Sequence, residues 1–224
     1  MASKQQENVF LFVPNIIGYS RIVLAAISLY YMPDAPVFCV ALYSLSCLLD
    51  AVDGQAARYF GQCSKFGAVL DMVTDRCTTT CLMCYLAQVY PKWSLLFQFL
   101  ISLDLSSHYM HMYSTLSSGV SSHKVISKKQ NFILRAYYSN NLVLFSFCAG
   151  NELFFIFLYI LAFYTGPEVF NVAGVSVSLI HILAFLTFPI CAIKQIINCI
   201  QFGGAAKTLA KIDLEERQKA AKQQ

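Results

Sequence analysis

Six stretches of the chain stay apolar for about the 20 residues that a helix needs to cross a bilayer. They cover residues 14–32, 36–57, 65–90, 93–113, 141–164 and 172–200, and each predicts a transmembrane helix. Most joints between them are short. Residues 33–35 and 165–167 carry the proline, aspartate and glycine of tight turns. The joint at residues 114–138 is longer, polar and basic. After Gly203 and Gly204 the apolar pattern stops, and residues 205–224 read as a charged helix facing water. The pattern predicts an all-α membrane protein: a membrane domain over residues 1–204, then a charged cytosolic tail over residues 205–224. No repeat, low-complexity tract or dividing linker interrupts it.

Composition sharpens this picture. Of 224 residues 57% are hydrophobic and 12% charged, against about 25% charged in soluble domains. A net charge of +4 is too small to argue for nucleic acid, and the 18 Phe and 13 Tyr sit in apolar runs rather than among basic residues. The placement of the charge says more. Lys4, Arg58, Lys65, Lys124, Lys128, Lys129, Arg135, Lys207, Lys211, Arg217, Lys219 and Lys222 fall on one side of the predicted spans, and Lys92 on the other. Basic joints stay on the cytosolic side, so both termini are expected in the cytosol. No cleaved signal peptide is expected. Nine cysteines lack any framework spacing. Cys77, Cys81 and Cys84 lie at i, i+4 and i+7, and are expected to be small packing residues on one helix face.

The residues that lipid should exclude point to chemistry. Asp50 and Asp53 stand at i, i+3 near the end of the second span, and Asp71 and Asp75 at i, i+4 just inside the third. Each pair shares a helix face, and the hairpin between the spans brings both faces to one membrane depth. Four aspartates held there would cost on the order of 10 kcal/mol without compensation. Cations between them would supply it, and hard carboxylate oxygens suit Mg²⁺ or Mn²⁺. Two such ions would form a centre for phosphoryl displacement. Gly54, Ala57 and Gly67 let backbones or a flat ligand approach. Arg58 offers a fork to a phosphate, and Ser64 stands where it would cap the third helix and add a hydroxyl to its positive end. Arg21, Arg76 and Lys194 remain inside spans, and Arg76 is expected to neutralise the acidic cluster.

Together these residues read D-x2-D-G-x2-A-R-x8-G-x3-D-x3-D from Asp50 to Asp75. This resembles the signature of the CDP-alcohol phosphotransferases, membrane enzymes of phospholipid synthesis. The resemblance implies six transmembrane helices, two divalent ions, a CDP-linked donor and a homodimer. By position it implies that Asp50, Asp53, Asp71 and Asp75 bind metal, that Asp75 is also the base, and that Gly54, Arg58 and Ser64 contact the donor. Residues 8–24 (NVFLFVPNIIGYSRIVL), 67–77 (GAVLDMVTDRC), 102–111 (SLDLSSHYMH), 122–126 (SHKVI) and 148–154 (CAGNELF) are similar to the branch that joins CDP-diacylglycerol to myo-inositol and releases CMP. That branch implies the endoplasmic reticulum, with the site facing the cytosol.

Other polar residues keep several readings. Asp104, His108 and His111 lie at i, i+4 and i+7 of the fourth span. They fit a hydrogen-bonded bundle interior, an inositol pocket or a separate metal site. Asn151 and Glu152, with Lys194 and Asn198, invite the same split. In the basic joint Lys124 and Arg135 fit attraction to anionic lipid or steering of a phosphate. The rival functions are another acceptor (glycerol 3-phosphate, serine or choline), a prenyltransferase, or a cation transporter. The last is disfavoured because both acid pairs lie near one membrane face.

Overall fold

Proline opens the first two long helices of the computed structural model, which describes residues 7–118, 137, 140–172 and 175–222. Its fixed φ suits a first helical turn, and its missing N–H has no partner to lose there. Pro14 takes this place in α1 (Val13–Tyr30) and Pro36 in α2 (Pro36–Tyr59). There follow α3 (Lys65–Val89), a 3₁₀ turn at Pro91–Trp93, α4 (Ser94–Ser117), α5 (Asn141–Phe163), an antiparallel hairpin of β1 (Glu168–Val172) and β2 (Val175–Ser178), and α6 (Leu179–Ala221).

Of these, α1, α2, α5 from Leu142 and α6 are long and apolar enough to cross a membrane. α3 and α4, with 25 and 24 residues, are also long enough to span. Their acids and hydroxyl residues make them less apolar. Leu95, Leu142 and Phe185 lie exposed on helix surfaces, as expected where lipid is the solvent.

The chain divides into two compact units, Met1–Tyr85 and Leu86–Gln224. In the first, α1 packs along α2. The buried Ser28 hydroxyl donates to the Cys39 carbonyl at 2.9 Å, and Ser46 donates to the Arg21 carbonyl at 3.0 Å. Small hydroxyl residues thus tie the two helices where their backbones approach. In the second unit α4 and α5 each pack on α6. Leu86, Phe97, Phe155 and Tyr159 are buried there, and the Tyr90 hydroxyl donates to the Leu158 carbonyl at 2.8 Å.

Three expectations need correction. The last helix begins at Leu179, not 172, because residues 168–178 form the hairpin. Valines and serines alternate through Val175–Ser178, a two-residue period that favours a strand. Ser178 then opens the helix, donating its N–H to Nδ1 of His181 at 3.3 Å. Nor does α6 stop at Gly203 and Gly204. It runs 43 residues, roughly 65 Å at 1.5 Å per residue, about twice the hydrocarbon thickness. The charged tail is therefore a continuation of the last helix. Finally, Cys77, Cys81 and Cys84 are free and exposed rather than packed.

Candidate metal centre

Each part of the acidic constellation is held by a local device. α2 ends in a Schellman motif: Gly61 adopts φ +64°, its N–H reaches the Arg58 carbonyl at 3.4 Å, and the Gln62 N–H reaches Ala57 at 2.9 Å. Only glycine takes that backbone readily, so the chain leaves α2 at Gly61, eight residues after Asp53. α3 starts at Ser64, whose Oγ accepts the Gly67 N–H at 2.9 Å, satisfying one of the helix's unpaired donors. The turn is clamped from the N-terminal side. Gln62 Oε1 accepts the Val13 N–H at 2.9 Å, and Phe10 packs edge-on against Phe66 with ring centroids 4.9 Å apart. Buried Asn15 donates to the Val9 carbonyl, and its Oδ1 would lie 2.8 Å from a Cβ at residue 67.

At the centre of the four aspartates stands Arg21 of α1. Its Nη1 lies 2.9 Å from Asp50 Oδ1, 2.8 Å from Asp53 Oδ2 and 2.9 Å from Asp71 Oδ1. Its Nη2 pairs with Asp75. Arg76 stands 3.8 Å from the other Asp75 oxygen. Arg21 and Asp53 are buried, while Asp50, Asp71 and Asp75 are partly open. Among the described residues these ion pairs set four carboxylates against two guanidinium groups, and Asp50, Asp71 and Asp75 are the partly open ones.

Asp50, Asp53 and Asp71 each bring one oxygen to within 4.8 Å of the others. Three converging carboxylate oxygens form the donor set that Mg²⁺ or Mn²⁺ accepts, with positions left for water or phosphate. The residues present therefore fit a hard divalent cation. Beside them Arg58 is exposed and lies back over Gly54, its Nη1 3.7 Å from where a Cβ there would stand.

The structure brings together all four sequence-predicted aspartates, with Gly54 and Arg58 on α2 and Ser64 at the head of α3. Sequence reasoning missed Arg21 as the residue that meets all four. A partial signal existed: a cation inside a span must pair, and these aspartates are opposite charges held inside the next two predicted spans. Gln62 and Asn15 were missed as well, because their partners lie in other elements.

Asp104 and His108 lie in the second unit among buried polar groups. Asp104 Oδ1 accepts from Asn198 Nδ2 at 3.2 Å and stands 3.5 Å from His108 Nδ1. Lys194 Nζ donates to Asn198 Oδ1 at 3.0 Å and lies over the Tyr137 ring, and Gln195 donates to Asn151 at 3.0 Å. This matches the hydrogen-bonded interior that the spacing allowed. Lys124 and Arg135 fall outside the described residues.

Residues 11–165 match the family model described as CDP-alcohol phosphatidyltransferase. A relative from Schizosaccharomyces pombe, named CDP-diacylglycerol–inositol 3-phosphatidyltransferase, is 51% identical over 99% of this chain and 98% of its own. Relatives of the same name from Rattus norvegicus and Homo sapiens are 49% and 48% identical, over 96% and 95% of this chain and 98% of theirs. No solved structure matches the chain at the stringency these relatives meet.

Proposed function

Since this chain belongs to the CDP-alcohol phosphatidyltransferase family, we propose that its four clustered aspartates are the centre at which it makes phosphatidylinositol. The enzyme transfers the phosphatidyl group of CDP-diacylglycerol to myo-inositol and releases CMP. Near-full-length relatives that carry that activity in their names support the reaction. The observation that carries the site is the meeting of carboxylates from α2 and α3 at one point.

In this reading Asp50, Asp53 and Asp71 hold divalent ions, with Asp75 completing the second position. Bound Mg²⁺ or Mn²⁺ would neutralise charge on the donor diphosphate and on the departing CMP. The chain's own groups do the rest. Arg58 presents its guanidinium fork to phosphate oxygens, and Gly54 keeps the helix surface low enough for the nucleotide to approach. Ser64 accepts the Gly67 N–H and keeps its own proton to donate to a phosphate oxygen. Asp75 takes the proton of the attacking inositol hydroxyl, which is a poor nucleophile at neutral pH without a positioned base. An oxygen–phosphorus bond forms at the β-phosphate as the bond to CMP breaks.

The same reading places six spans in the membrane of the endoplasmic reticulum, both termini in the cytosol, and the aspartates at the cytosolic ends of α2 and α3. The one-sided distribution of basic residues supports that orientation. The family resemblance supports the organelle and a homodimer.

The test uses purified full-length protein in detergent, CDP-diacylglycerol and labelled myo-inositol. Label should enter lipid with release of CMP, stop on chelation and return with Mn²⁺ or Mg²⁺. Incorporation of serine or glycerol 3-phosphate in place of inositol would overturn the acceptor assignment.

A further inference from the structure

Among the described residues, the polar contacts of the Arg21 guanidinium go to the four aspartates. One nitrogen, Nη1, touches three carboxylates at 2.8–2.9 Å, and Nη2 pairs with the fourth. Its Nε, although buried, has no hydrogen-bond partner among the described residues. The Arg21 backbone is fixed independently, through the Ser46 hydroxyl on its carbonyl at 3.0 Å. An arginine recruited to bind a backbone or cap a helix would spend its donors differently. Here the charged end is a fixed cation at the focus of the acids.

We infer that Arg21 is a resident counter-cation that competes with divalent ions for the four aspartates. The inference rests on the metal-centre reading above and goes beyond it. Asp50, Asp53 and Asp71 are the carboxylates whose oxygens converge within 4.8 Å, and the same three side chains hold Nη1. A carboxylate oxygen that accepts a guanidinium N–H is a weaker donor to a metal, so each ion that enters must loosen an Arg21 contact. The arrangement has two consequences. Before ions arrive, Arg21 keeps acids on two helices from repelling each other, so the chain folds with its ligands already gathered. Once they arrive, it moderates their affinity. Arg21 is a positioning residue: it acts on the carboxylates and carries no step of the transfer.

Arg21→Gln removes the charge and keeps a polar side chain of similar reach. Equilibrium Mn²⁺ binding to purified wild-type and Arg21→Gln protein, read by electron paramagnetic resonance, decides the matter. If the site is held by Arg21 nine parts in ten, its removal tightens Mn²⁺ binding about tenfold. Chelator should also lower the unfolding midpoint of the variant more than that of the wild type. A variant recovered as folded protein only with Mn²⁺ present supports the inference just as strongly, because the ion then replaces the guanidinium. A folded Arg21→Gln that binds Mn²⁺ no more tightly than wild type overturns it. So does a variant that Mn²⁺ cannot restore, since Arg21 would then do something no cation substitutes. Arg21→Lys keeps one charge but not the fork, and should bind Mn²⁺ with intermediate affinity. Absence of saturable Mn²⁺ binding in every protein would instead remove the metal-centre premise, and the inference with it.

Discussion

Replacing Gly67 by alanine should weaken the protein, although the same change in an open helix would strengthen it. A Cβ at residue 67 stands 2.8 Å from Asn15 Oδ1 and 3.1 Å from Ser64 Oγ, too close for both to stay. Neither neighbour moves freely. Asn15 is 1% exposed and its amide is tied to the Val9 carbonyl. Ser64 Oγ caps α3. Displacing a buried amide from its partner costs about 1–3 kcal/mol, and losing a serine cap about 1 kcal/mol. Alanine returns at most about 1 kcal/mol in helix propensity, and less in a first turn. The net loss is therefore about 1–3 kcal/mol, and at about 2–4 °C per kcal/mol for a chain of this size the unfolding midpoint should fall by roughly 3–10 °C. Thermal unfolding of the detergent-solubilised protein measures this. Gly203→Ala is the control: nothing lies within 4 Å of its Cβ, so the midpoint should rise by about 2–4 °C. A Gly67→Ala protein as stable as wild type, or more so, would refute the clamp between the N-terminal segment and the head of α3.

Two further outcomes follow from single side chains. Asp75→Asn keeps the shape and removes the base, so turnover should fall by about 10²–10⁴-fold while CDP-diacylglycerol still binds; turnover near wild type would reassign the proton. Asp104→Ala takes one acceptor from buried Asn198 at a cost of about 1–3 kcal/mol, visible as a lower unfolding midpoint, and an unchanged midpoint would count against the polar network as a structural element.

The aspartates were legible because helical spacing is a local property. Once two spans joined by a short turn are recognised, i, i+3 and i, i+4 acids must face one another. Gly54 and Arg58 were legible for the same reason, being one turn apart on one helix. Arg21 was not, because its partners lie about 30 to 54 residues away along the chain, and no local periodicity encodes that distance. The hairpin before α6 was hidden by its valines. Averaged over a window of 20 they count as apolar span, whereas over four residues their alternation with serine reads as strand. The continuation of α6 past Gly203 and Gly204 shows the limit of glycine as punctuation. Each costs about 1 kcal/mol in a helix, which good helix formers on both sides offset. The acceptor was legible only in the similarity of the remaining segments, because the aspartates serve any alcohol equally well.

Charge balance ties Arg21 to the number of ions the site can hold. Four carboxylates meet two guanidinium groups, those of Arg21 and Arg76, leaving two negative charges. A diphosphate donor brings two more, and charge left uncompensated at low dielectric is costly. Arg58, on the donor's phosphate oxygens in the reading above, adds one positive charge, so one divalent ion would leave the assembly at minus one and two would leave it at plus one. With two ions and the donor in place the guanidinium of Arg21 is the charge in excess, and Arg21 can therefore loosen its grip as ions bind.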